Sequence, residues 1–303
     1  MYLHKNVDLF REVVLSASDA FGIPIPIIEK DYYVTMILKQ LSEKATGCVF
    51  KGGTSLSKCY HVIERFSEDI DITFMNALST GARKRLKNEI IAGISKELEL
   101  PISDWQNAKS RRDYNCYTFQ YSSIGGMIPT SLIQGVKMEI SLISIAFPTT
   151  QMEVDSYVFQ FLQKDNLEIA TDYNLLPFQM TLQTLDRTLA DKVFALCDYY
   201  LEGKITRHSR HIYDIYMLLP HVPLDKTFKQ LVQQVRNQRR QISICPSAQP
   251  EIDIPRLLIE IIEKAVYQDD YRQITSYFQK RPLEYNEALS AIKTIAESGC
   301  FDS

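Results

Sequence analysis

The sequence lacks the features that would tie a chain to a membrane, to a disulfide framework or to a polyanion. No window of its 303 residues approaches the ~20 consecutive apolar residues of a membrane span. The opening MYLHKNVDLFREVV carries Asp8, Arg11 and Glu12, which break the apolar stretch that a secretory signal needs. Six cysteines (Cys48, Cys59, Cys116, Cys197, Cys245 and Cys300) are scattered, with no close pair at ligand spacing. That argues against a zinc ribbon or redox dithiol and for reduced thiols. Histidines number five, and His208 and His211 have no suitably spaced third ligand for zinc. A net charge of −3 is far from the strongly basic balance of a dedicated nucleic-acid binder, so any such contact needs a local basic patch. These absences lead to the expectation of a soluble, cytoplasmic protein with no membrane segment.

The composition is that of a globular protein, 45% hydrophobic and 23% charged, with apolar runs in both halves. Helical spacing covers residues 4–20 and, after the Gly22-Ile23-Pro24 turn, 27–45. A short strand over 48–51 ends at Gly52-Gly53, and residues 54–64 resume helical spacing. Residues 69–74, DIDITF, alternate with period two and read as a half-buried strand. A charged amphipathic helix follows over 82–98, then strands over 114–121, 136–146 and 157–161, while 130–134 read as a loop or a strand start. Beyond Leu182 the character changes: Leu185, Leu189, Val193, Leu196 and Tyr200 share one helical face, and Ile212, Ile215, Met217 and Leu218 continue the pattern. The plan is therefore an α+β fold, with a mixed α/β part over 1–170 and a mainly helical part over 171–303.

Chemistry concentrates in residues 50–74. In Lys51-Gly52-Gly53-Thr54-Ser55 two glycines let the backbone approach a ligand that a Cβ would obstruct. A helix beginning there presents amides to an anion, and a hydroxyl of Thr54 or Ser55 can bind the same phosphate. Asp69 and Asp71 are two apart, so a strand turns both carboxylates to one face. That arrangement suits Mg²⁺ held against a triphosphate, since Mg²⁺ takes hard oxygens and completes its shell with water and phosphate. Glu139, interrupting an otherwise strand-like run, is the candidate third ligand. Taken singly, a Gly-Gly pair reads as a turn and an Asp-x-Asp pair as solvated surface; their order and spacing together carry the reading.

KGGTSLSK followed by RFSEDIDITF resembles the Gly-Gly-Thr/Ser to Asp-x-Asp signature of polymerase-beta-like nucleotidyltransferases. More narrowly, the chain resembles the AbiEii/AbiGii abortive-infection toxins of bacterial toxin–antitoxin systems. Ile28-Glu29-Lys30-Asp31-Tyr32-Tyr33 is similar to that family's Glu-Lys-Asp-aromatic segment. Leu185–Lys192 is similar to its Leu-x-Arg-Thr-Leu-x-x-Lys motif, and Arg207–Ile215 to its Arg-x-x-Arg-x-x-Tyr-Asp-Ile motif. The family often places an acid where His211 stands. The likeness covers about residues 28–220 and leaves the last ~80 without a motif.

The resemblance implies a polymerase-beta-like nucleotidyltransferase core followed by a helical domain, with nucleotide between them. It implies phosphate contacts from Lys51, Gly52, Gly53, Thr54 and Ser55, and Mg²⁺ on Asp69 and Asp71. Lys192 would approach the triphosphate and Asp214 would be the acid of the last motif. It further implies transfer of a nucleoside monophosphate from an NTP to a tRNA 3′ end, a growth-inhibiting effect, and a separately encoded antitoxin.

Read from the residues alone, Lys192 sits on an apolar helix between Leu189 and Leu196, where its ammonium needs an anion or must snorkel to solvent. Asp214 is an acid in a buried-looking helix, for which a structural salt bridge to Arg207 or Arg210 is the alternative role. Residues 109–112 and 236–240 are the best basic clusters; an RNA acceptor would find its phosphate contacts there. Two rival readings stand beside tRNA modification. One keeps the chemistry but transfers to a protein side chain; the other is a catalytically silent nucleotide- or partner-binding protein.

Overall fold

Two helices open the chain, and their ends follow from local chemistry. Helix α1 (Val7–Phe21) begins where the Asn6 side chain accepts the Leu9 N–H, and stops at Gly22 in the left-handed conformation at φ +64°. Helix α2 (Ile25–Lys44) tolerates Pro26 in its first turn and is buried along most of its length. The computed structural model describes residues 1–65, 67–125, 135–276, 279 and 281–302. The expected loop or strand start at 130–134 lies outside them.

The chain divides into two compact units, Met1–Thr54 with Glu68–Leu182, and Ser55–Ser67 with Gln183–Ser303. The sequence changes character beyond Leu182, where the units part, and a short early segment joins the second.

The first unit is built on a mixed sheet of six strands: β1 (Cys48–Lys51), β2 (Ile70–Phe74), β3 (Tyr114–Phe119), β4 (Val136–Ile145), β5 (Thr149–Val154) and β6 (Phe178–Gln183). Their order is β3-β4-β2-β1-β6-β5. β2 runs antiparallel to β1 and parallel to β4, while β3 is antiparallel to β4. Ile70, Ile72, Met138 and Ile140 are buried against the core, leaving the alternate positions 71 and 139 for the other face. Helix α3 (Gly52–Lys58) leaves β1 directly, and α4 (Thr80–Arg85) continues through a π-helical stretch, Leu86–Ile91, into α5 (Ala92–Glu97).

Two local expectations are corrected. Residues 157–161 are not a strand but the start of helix α6 (Tyr157–Leu162). Ser156 caps that helix by accepting the Phe159 N–H, and Val158, Phe159 and Leu162 bury one side of it. The helix expected over 54–64 ends at Lys58, and His61 turns left-handed at φ +54°. The Tyr60 hydroxyl is drawn to the Gln183 carbonyl at 2.8 Å, and the Glu64 N–H donates to the Tyr213 hydroxyl at 3.1 Å. Strands β5 and β6 escaped the period-two pattern, and helix α7 (Leu167–Asp172) lies between α6 and β6.

The second unit is helical: α8 (Leu185–Leu201), α9 (Arg210–Leu218), α10 (Lys226–Arg239), α11 (Ile254–Glu263), α12 (Gln268–Asp270) and α13 (Tyr285–Glu297). Leu189, Val193 and Leu196 of the expected face are fully buried, joined by Ile212, Ile215, Ile292 and Ile295. Ion pairs lie within this apolar packing. Arg187 pairs with Asp191 at 3.1 Å, and Arg239 with Asp198 at 2.6 Å. Arg236 donates to the carbonyls of Ala248 and Gln249 at 3.3 and 2.9 Å. The 236–240 cluster thus spends its central cations internally, whereas Lys109, Arg111 and Arg112 in the first unit stay exposed. Among the described residues no helix is long and apolar enough to cross a membrane.

Candidate active site

In the first unit the sheet register brings the predicted acids together. Asp71 stands opposite Lys51 on β1 and opposite Glu139 on β4, and Glu139 stands opposite Cys116 on β3. Directly paired residues share a face, so Lys51, Asp71, Glu139 and Cys116 form one row across four strands. Asp69 lies one residue before β2, and its charge acts on Lys137 and on Cys116 of that row.

Gly52 forms the floor beneath Asp71. Its φ is +80°, and a Cβ built there would lie 2.0 Å from Asp71 Oδ2. The carboxylate therefore rests against a backbone that only glycine can supply. Thr54 and Ser55 are buried, at 4% and 0% exposure, and Gly53 is buried beside them. Helix α3 has seven residues, too short to present much of a dipole.

Glu139 has companions that the sequence did not point to. The Lys137 ammonium donates to its carboxylate, and Asp69 adds to the attraction that raises the Lys137 pKa against the opposing effect of burial. Tyr114 leads β3; burial first and then the charge of Glu139 push its phenol above the ordinary range. Burial also pushes the Cys116 thiol up to about 11, so it stays protonated at neutral pH. Among the described residues no three His, Cys, Asp or Glu side chains converge as a ready-made metal cage.

The second unit holds a separate charged cluster built on helices α8 and α9. Lys192 Nζ donates to Asp214 Oδ2 at 2.6 Å. Arg65 clasps the same carboxylate through Nε at 2.7 Å and Nη2 at 2.8 Å, a bidentate fork. Asp214 is fully buried, and burial alone would raise its pKa; Arg65 and Lys192 overcome that and hold it ionised. Burial lowers the Lys192 pKa, with Asp214 opposing and Arg65 reinforcing the shift. The partners of Asp214 are thus Arg65 and Lys192 rather than Arg207 or Arg210. Arg207 instead donates its backbone N–H to Asp270 at 2.6 Å.

Comparison with known proteins decides the family. The model of the nucleotidyl transferase AbiEii toxins, a type IV toxin–antitoxin family, matches residues 37–292. The chain belongs to the AbiEii nucleotidyltransferase toxin family. The match continues well past residue 220, into the helices for which the sequence offered no motif. A solved structure, the nucleotidyltransferase toxin MenT4 from Mycobacterium tuberculosis H37Rv, has the same fold at 15% identity. It aligns with a TM-score of 0.52 over 95% of this chain and 88% of its own. No curated protein sequence matches. As an AbiEii protein the chain is a nucleotidyltransferase, with an NTP as substrate and an antitoxin as counterpart.

The floor under Asp71 makes a first prediction for this AbiEii enzyme. Gly52→Ala forces a side chain into left-handed backbone, about 1–3 kcal/mol of strain. It also pushes the Asp71 carboxylate aside, and a displacement of about 1 Å at a reacting centre costs on the order of 100-fold in rate. A steady-state transfer assay beside a thermal melt will show a large rate loss with a modest loss of stability. A variant with unchanged rate would mean that Asp71 need not stay where Gly52 lets it lie.

A second prediction concerns pH. His211, beside the Lys192 cluster, has its pKa held well below 6.5 by burial first, then by Lys192 and Arg210. It is neutral in the fold, whereas the unfolded chain binds its proton below about pH 6.5. Stability is therefore full above that pH and lost below it, by about 1.4 kcal/mol per pH unit. Melting temperatures measured from pH 7.5 to 5.5 should fall with a slope that His211→Gln reduces. An identical slope in the variant would assign the acid loss to other groups.

Proposed function

We propose that the chain transfers a nucleoside monophosphate from an NTP to the terminal hydroxyl of a tRNA, with Mg²⁺ held by Asp69 and Asp71. One observation supports this above the rest: Asp71 lies in register with Glu139 against the bare Cα of Gly52, and Asp69 stands just before the strand that carries Asp71. The donor set fits the ion. Its atoms are carboxylate oxygens, and Mg²⁺ needs only one or two of them, with water and substrate phosphates completing an octahedron. When bound, Mg²⁺ supplies charge neutralisation at the phosphates of the NTP.

In this reading Asp69 and Asp71 hold the ion, Gly52 leaves room for the Asp71 carboxylate, and Gly53 keeps the phosphate-binding role that the family likeness implies. Glu139 serves as third ligand once Lys137 releases it. Lys51, Thr54 and Ser55 keep the phosphate-binding roles that the family likeness implies. Lys192 keeps the role that the family likeness implies, with Asp214 holding its ammonium in place. The acceptor oxygen forms the new bond to the α-phosphorus, the bond to the β-phosphate breaks, and pyrophosphate and the acceptor's proton leave.

The test is incubation of the protein and Mg²⁺ with total bacterial RNA, cell-extract protein and each α-³²P-labelled NTP in turn. Label in a tRNA-sized band supports the proposal and names the donor base. Label on protein would move the acceptor to a side chain. Label on neither, despite NTP binding, would contradict transfer.

A further inference from the structure

Helix α2 carries Glu29-Lys30-Asp31, three consecutive ionisable residues that reach three different segments of the first unit. Glu29 is 0% exposed and Lys30 is 2% exposed. Glu29 accepts the Ile124 N–H at 2.9 Å and the Ser123 hydroxyl at 2.6 Å, holding the loop after β3. Asp31 accepts the Tyr157 N–H at 2.9 Å and so fixes the start of α6. Between them the Lys30 ammonium donates to Glu68, with side chains 3% and 14% exposed.

The position of Glu68 gives that last contact its interest. Glu68 is bonded to Asp69, and β2 begins one residue later. Among the described residues of 61–69 there is no helix or strand, only an isolated bridge at Arg65, so no ladder guides the backbone into β2. Burying two charges is costly, and well-packed apolar residues do the same packing work as well or better. An ion pair at this place makes most sense as a device that fixes geometry. It ties the carboxylate neighbouring Asp69 to a helix that is itself buried along its length.

We propose that Lys30 is a positioning residue for the Asp69 and Asp71 site, acting through Glu68 to fix where β2 begins. Glu29 and Asp31 hold the same helix against two further segments, so the anchor for Lys30 is rigid. The inference rests on the proposed role of the two aspartates.

The test uses the full-length protein with Lys30→Met, which removes the charge and keeps the stem, and with Lys30→Arg, which restores a charge. Mn²⁺ binding is read by electron paramagnetic resonance, the Mg²⁺ dependence of transfer by kinetics, and folding by circular dichroism. Outer-shell partners of metal ligands typically change affinity by about 10- to 100-fold when lost. Lys30→Met should weaken Mn²⁺ binding by about tenfold or more and raise the half-saturating Mg²⁺ in parallel, with a smaller change in the KM for NTP. Lys30→Arg should recover most of both. A merely structural role would lower the folded fraction and leave the metal affinity of the folded protein alone. A folded Lys30→Met with Mn²⁺ affinity within about twofold of the wild type overturns the inference. If Lys30→Met does not fold, Glu68→Gln carries the same measurement with the same two outcomes. Failure of the parent reading is distinct, because it shows as a wild type without transfer or Mn²⁺ binding.

Discussion

Asp71→Asn reduces nucleotidyl transfer by about 10³-fold, roughly 4 kcal/mol at the transition state, and leaves the fold intact. The substitution replaces one carboxylate oxygen by an amide of nearly the same shape, so the contact with Gly52 survives sterically. What it removes is the charge. A hard divalent cation binds an amide oxygen far less well than a carboxylate, and Asp71 sits at the centre of the row formed by Lys51, Glu139 and Cys116. Removing a negative charge from a face that also holds Asp69 and Glu139 relieves repulsion, so the melting temperature should hold or rise. Transfer kinetics at saturating NTP, paired with a melt, check both halves. A variant that keeps more than a tenth of the activity would take Asp71 out of the metal site.

Asp214→Ala is the substitution with the largest expected effect on stability. It leaves the Arg65 guanidinium and the Lys192 ammonium together without the carboxylate that both now grip, in a site where Asp214 is 0% exposed. Breaking a buried ion pair by removing one partner costs about 3–5 kcal/mol, because the remaining charge is uncompensated. For a unit of this size the melting temperature should drop by on the order of 10 °C. Depression of the Asp214 pKa adds a sign that can be checked. Its stabilisation is complete above the ordinary aspartate pKa of about 3.9 and is lost only as the pH falls through and below that value. The wild type and Asp214→Ala should therefore converge in stability below about pH 4. A gap that persists unchanged into acid would mean that Asp214 acts by packing rather than by charge.

The parts of this molecule that could be read in advance share a physical cause. DIDITF showed itself because period-two alternation on β2 turns Asp71 outward while Ile70 and Ile72 are buried. Glu139 was findable for the same reason, as an acid in an apolar run, though only the parallel register of β2 and β4 puts it opposite Asp71. Lys192 and Asp214 stood out as charges on apolar helices. Their third partner, Arg65, did not, because it lies in a stretch without helix or strand and reaches Asp214 across 149 positions of sequence. Tyr114 was hidden likewise, because only the pairing of β3 with β4 brings it near Glu139, whereas Lys137 stands two residues before Glu139 on the same strand. Residues 157–161 misled because Val158 and Phe159 suit a strand as well as a helix, and the Ser156 cap and the Asp31 contact decide between them.

The measurement that tests the central claim most directly is crystallographic: the protein soaked with Mn²⁺ and a non-hydrolysable NTP, with data collected for manganese anomalous scattering. The account predicts an anomalous peak about 2.1 Å from carboxylate oxygens of both Asp69 and Asp71, with the nucleotide phosphates completing the shell. Nucleotide bound with the ion elsewhere, or with neither aspartate touching it, would contradict the account.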